Sequence, residues 1–133
     1  MKTLLIAVCG VVILAFGCSK RHSSDAIALE GAWSAVDSDP MSLVIRGSNF
    51  EAQDATSNNW LKATFSLRED KDPKQLVLVL TQSSDPKEAG KTANAIYQIQ
   101  GDTLTITANE PGDPDVPKGF DDTNSDKLVF KRK

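Results

Sequence analysis

The sequence predicts an all-β domain, an antiparallel β-barrel of about eight strands, preceded by an N-terminal signal segment. Three observations carry that expectation. From Leu29 onward, short alternating or apolar runs recur at roughly 8–12-residue spacing with turn residues between them. The body shows no helical period of useful length. Two tight turns, Gly47-Ser48 and Gly101-Asp102, each join two strand-forming runs. A small up-and-down barrel of about eight strands has an interior that just accommodates side chains or one small ligand.

The leader comes first in the chain. Met1-Lys2 supplies a positive start, and Thr3 to Gly17 is an almost unbroken apolar run ending in small residues before Cys18, the pattern of an export signal. The run is about 15 residues, short of the ~20 that span a bilayer as a helix, and the polar Ser19 to Asp25 follows at once. The expected division is therefore a lipoprotein-type signal peptide over 1–17, a polar tether over 18–28 and one barrel domain over 29–133. Leu14-Ala15-Phe16-Gly17-Cys18 resembles the lipobox of bacterial lipoproteins, in which the cysteine is acylated and becomes the mature N-terminus. That resemblance makes Cys18 the lipidation site and a membrane the partner of its anchor, with Ser19 suiting the outer membrane of the cell envelope. The alternative is an ordinary secretory signal with an incidental cysteine and a secreted or periplasmic product.

In the body, Leu29, Gly31, Trp33 and Ala35 share one face of a first strand, so the Trp33 indole points into a core where Gly31 leaves it room. Met41 to Arg46 pairs with Asn49 to Gln53 across Gly47-Ser48. In the next strand Leu61, Ala63, Phe65 and Leu67 face in and Lys62, Thr64, Ser66 and Arg68 face out. Gln75 to Thr81 is apolar on both faces, which implies a central strand or a covered outer face. Thr92 to Gln100 and Thr103 to Thr107 form a hairpin, and Lys127 to Arg132 is the last strand. Asp85-Pro86-Lys87-Glu88 has a capping-box pattern that Gly90 stops after one turn. Glu110 to Asp126, rich in Pro, Gly and Asp, reads as an exposed loop or as a lid over one barrel end, the first being preferred.

Composition narrows the function classes. The net charge is −3, and the dense basic cluster Lys131-Arg132-Lys133 is confined to the C-terminus, so nucleic acid is not an expected partner. Cys9 lies in the leader and Cys18 at its edge, and the single histidine, His22, belongs to the tether, so the body carries neither thiol chemistry nor a histidine-based triad. Asp122-x-Asn124-x-Asp126 matches half of a calcium loop, but Lys127 stands where the turn glycine belongs; no metal and no other cofactor is expected.

Leu29-Glu30-Gly31-Ala32-Trp33, Gly90-Lys91-Thr92 leading into Ala95-Ile96-Tyr97, Gly101-Asp102-Thr103-Leu104, Pro117-Lys118-Gly119-Phe120 and Leu128 to Arg132 follow one another in an order that resembles the small lipocalin-like domain family expanded in planctomycete-type bacteria. The resemblance covers the whole mature chain and implies a lipocalin-like barrel with no established activity. It also implies a closed barrel end built by Gly31, Trp33 and Arg132, with the arginine packed on the indole as a structural contact.

The expected function is non-enzymatic: a tethered lipocalin-like domain that binds a small apolar ligand or an envelope component. Trp60, Phe50, Tyr97 and Phe120 are the aromatic candidates for a ligand site, with Phe65 reading better as plain core. The alternative is a protein-interaction or structural module, a barrel filled by Leu61, Phe65, Leu78, Ile96, Leu104 and Ile106 that displays its acidic Pro-rich loop.

Overall fold

The computed structural model describes residues 24–36 and 40–133; the signal segment, Cys18 and the first part of the expected tether lie outside the described residues. A short helix, α1 (Ser24–Leu29), precedes eight strands: β1 (Gly31–Ala35), β2 (Met41–Arg46), β3 (Asn49–Asp54), β4 (Trp60–Arg68), β5 (Gln75–Ser83), β6 (Thr92–Gln100), β7 (Thr103–Ala108) and β8 (Asp126–Arg132). Each strand pairs antiparallel with its neighbour in sequence, and β1 pairs with β8, so the sheet closes into a barrel. Closure removes the open edges that would otherwise template pairing with another chain.

The expected strands appear with shifts of one or two residues at their ends, and the one larger departure is at the start. Leu29 ends α1 instead of opening β1, and residues 24–28, expected as tether, are helical. Ala26, Ala28 and Leu29 are good helix formers, and what holds so short a helix is its contacts with the barrel. Leu29 is 1% exposed, and its carbonyl accepts a hydrogen bond from Trp33 Nε1 at 2.9 Å. Asp25 Oδ2 accepts hydrogen bonds from Tyr97 OH and Lys74 Nζ, each at 2.8 Å.

Strand direction sorts the connections into two ends. The 47–48 and 101–102 turns, the 69–74 connection and α1 lie at one end, which is closed; the 84–91 and 109–125 connections lie at the other. At the closed end Arg132 reaches back across the barrel seam. Its guanidinium carbon stands 4.2 Å from the centre of the Trp33 ring. Nη2 and Nη1 donate to the carbonyls of Ala28 and Glu30 at 2.6 and 2.7 Å, which satisfies acceptors at the end of α1 that no helical turn can serve. Gly31 makes the approach possible. Its φ is +131°, and a Cβ there would stand 2.9 Å from Arg132 Nη1.

Two outcomes follow from this end of the barrel. Arg132→Lys keeps the charge but not the fork that serves two carbonyls while stacked on the indole, and urea unfolding should show a loss of about 1–2 kcal/mol; an unchanged midpoint would mean the clamp contributes nothing. For Asp25, burial works to raise the pKa, but the hydrogen bonds from Lys74 and Tyr97 and the Lys74 charge outweigh it and hold the carboxyl below its ordinary 3.8. A group with a depressed folded-state pKa contributes stability that is complete above its unfolded pKa and lost as pH falls through the folded one. Asp25→Asn should therefore cost stability at pH 7 and progressively less as the pH is lowered below 3.8, in unfolding curves of both proteins taken across that range.

Candidate functional site

Alternation decides which side chains enter the barrel, and their sizes decide where it is full. At the closed half the inward positions carry bulk: Trp33, Ile45, Leu76, Tyr97 and Leu104 are all 2% exposed or less, with Leu29 packed among them from α1. Nearer the other end the inward positions include Ala52 on β3, Ala93 on β6 and Ala108 on β7, and small side chains facing one another leave volume. The result is a cavity of about 520 Å³ open at the end opposite α1, walled by Leu43, Phe50, Leu61, Leu78, Leu80, Ile106, Leu128 and Phe130. That volume lies within the roughly 300–1,000 Å³ typical of small-molecule sites.

The mouth is polar and charged. Asp85, Lys87, Glu88 and Lys91 come from the β5–β6 connection, Asn109, Glu110 and Pro111 from the residues after β7, and Asp126 from the start of β8. The 85–90 stretch is a turn and not a capped helix: Asp85 Oδ1 accepts from Lys87 N at 3.0 Å, and Glu88 Oε2 accepts from the Ser83 hydroxyl at 3.1 Å instead of from Asp85 N, which donates to Ser83 Oγ. A second depression of about 480 Å³ adjoins the mouth and shares Met41, Ala52, Leu61, Asp85, Glu88 and Asp126 with the cavity. Its remaining lining, including Gln53, Asp54, Asn59, Ser83 and Ser84, is mostly polar.

Of the four aromatic candidates, the structure brings one into the cavity. Phe50 forms part of its wall. Trp60 begins β4 on the outward face, 39% exposed, and lines the adjoining depression at the rim. Tyr97 does not reach the cavity: its ring fills the closed half and its hydroxyl is engaged by Asp25, which together with burial raises its pKa. Phe120 is also remote, lying beside Pro73, Gln98 and Ile99 outside the barrel. Phe65 packs against the core, half-buried.

Ile96 is not part of the interior either. It is fully buried but sits outside the core cluster, on the outer face of β6 opposite Thr107 of β7. The connection after β7 is tied along this face by side-chain hydrogen bonds. Asn94 Nδ2 donates to the carbonyls of Asp113 and Pro114 at 3.3 Å, Asn109 Nδ2 donates to Asp115 O at 2.9 Å, and Thr107 Oγ1 donates to Phe120 O at 3.5 Å. Ser125 Oγ bonds Asn109 Oδ1 and closes the loop. The Pro/Asp-rich stretch is thus a strap along β6 and β7, neither a lid nor a free loop. Within it Asp122 spends its oxygens on the backbone N–H groups of Asn124 and Lys118, and these bonds hold its carboxyl below the ordinary range. Among the described residues no group of three or more His, Cys, Asp or Glu is arranged to hold a metal ion.

The cavity residues missed by sequence reasoning are the small ones. Aromatic side chains draw attention as ligand contacts, yet the space arises where Ala52, Ala93 and Ala108 fall on the inward phase, a signal present in the strand alternation. No family model, curated protein or solved structure matches the chain.

Proposed function

We propose that the protein is a non-enzymatic, exported lipoprotein with a lipocalin-like domain that holds a small apolar ligand in the barrel. The observation that carries this reading is the open apolar cavity of about 520 Å³ above a solidly packed closed end. Burial of apolar ligand surface against these walls is favourable by roughly 25 cal/mol per Å² before the costs of association. Binding without chemistry fits a body whose core side chains are aliphatic or aromatic and whose sequence has neither histidine nor cysteine after residue 22. A filled barrel acting as an interaction module has less support, because its upper half is open and the acidic loop is strapped onto β6 and β7.

In this proposal Cys18 is acylated and anchors the protein in the cell envelope. Five residues separate Cys18 from Ser24, a reach of at most about 20 Å. Because α1 packs at the closed end, so short a tether holds that end toward the membrane and turns the cavity mouth away from it.

Two experiments test the reading. Ala93→Phe places a ring in the cavity, and it should weaken binding of a neutral fluorescent probe such as N-phenyl-1-naphthylamine at least tenfold while leaving the urea midpoint close to that of the parent. Failure of the parent protein to bind any apolar probe would overturn the ligand reading. For the anchor, cells fed radiolabelled palmitate should label the protein, and Cys18→Ser should abolish the label.

A further inference from the structure

We propose that the occupant of this cavity is an amphiphile with an apolar chain and a positively charged amine head, an inference that rests on the apolar-ligand reading above. The walls settle the chain and the mouth settles the head. Any charge on the ligand must stay near water, since burying it against Leu78, Leu80 and Phe130 without partners costs several kcal/mol or more. The head therefore sits at the mouth, among Asp85, Glu88, Glu110 and Asp126, with Lys87 and Lys91 as the cations.

Four carboxylates against two ammonium groups give that ring an excess negative charge, which makes up most of the chain's net charge of −3. Three further observations bear on how the excess is placed. Asp126 lies in register with Leu128 and Phe130, so it continues the inward face of β8 directly above the cavity wall. The ion pairs among the described residues are Lys74–Asp25, Lys127–Asp121 and Arg132–Asp102, so none of the four mouth carboxylates is neutralised by one. The stem of Lys91 runs against Gly112 of the strap, its Cδ 3.3 Å from where a Cβ on that glycine would stand, which lays this cation to the strap side of the opening. A concave site with low-dielectric walls and one sign of charge in excess concentrates the opposite charge at its mouth. A carboxylate-headed ligand of the same length would bring a fifth negative charge into the ring.

The test compares dodecylamine and laurate, which share a chain length and differ in head charge, as competitors for N-phenyl-1-naphthylamine at pH 7, below the micellar range. In low salt dodecylamine should compete at least threefold more tightly than laurate. The preference should shrink toward unity near 1 M salt, where the screening length is about 3 Å. Asp126→Asn combined with Glu88→Gln, read as the ratio of the two competitors' affinities within the same variant, should also remove it; the glutamine still accepts from Ser83 and so keeps the turn. Laurate binding as tightly as the amine, or a preference that survives both salt and the double substitution, overturns the amine head and leaves the apolar cavity reading standing. Displacement by neither compound from a protein that does not bind the probe overturns both.

Discussion

The closed end depends on one side chain that serves three structural elements at once. Arg132, in the last strand, stacks on Trp33 of the first, and donates to the carbonyls of Ala28 and Glu30 on either side of the end of α1. A guanidinium can do this because it is planar, always charged and forked; an ammonium could serve a carbonyl or the ring face but not the whole set in one geometry. These hydrogen bonds join residues more than a hundred positions apart and reinforce the barrel seam, where Trp33, Ser34 and Ala35 pair with Arg132, Lys131 and Phe130. It also requires Gly31, whose missing side chain is the space that Arg132 Nη1 occupies.

With that end sealed, the interior divides into two halves of different character. Trp33, Tyr97 and the leucines around them fill the lower half and are almost fully buried, and α1 covers it from outside through Leu29 and Asp25. The upper half has no comparable bulk, because alanines occupy inward positions on three strands. A barrel of eight strands has little spare room, so exchanging a few large side chains for small ones is enough to turn a filled interior into a cavity.

The strap lies on the outer face of the wall. Asn94 and Asn109 carry amide groups that hold the backbone carbonyls of an irregular segment, supplying partners that a sheet ladder would otherwise provide. Ile96 and Thr107, on that outward face, are buried. The outer face of β5, by contrast, stays partly open, with Val79 at 42% exposure. The all-apolar look of that strand thus reflects an outer face that is only partly covered.

The sequence by itself determined the barrel: alternation of apolar side chains at period 2 and the Gly47-Ser48 and Gly101-Asp102 turns are local features, and local features set strand number, order and which residues face in. Trp33, Gly31 and Arg132 were legible as a group through the motif order, and they do meet at one end. Distance in three dimensions was not legible. Tyr97 and Phe120 look equivalent to Phe50 as aromatic candidates, but strand direction sends Tyr97 into the closed half, and the strap leaves Phe120 outside the wall. The six residues of α1 lack any helical signal long enough to read, since their helix exists only through contacts with Tyr97, Lys74 and Arg132. Only the tertiary structure could decide where the barrel is full and where it is empty, because packing depends on which side chains face one another across the interior, and pairs brought together by closure have no fixed separation along the chain.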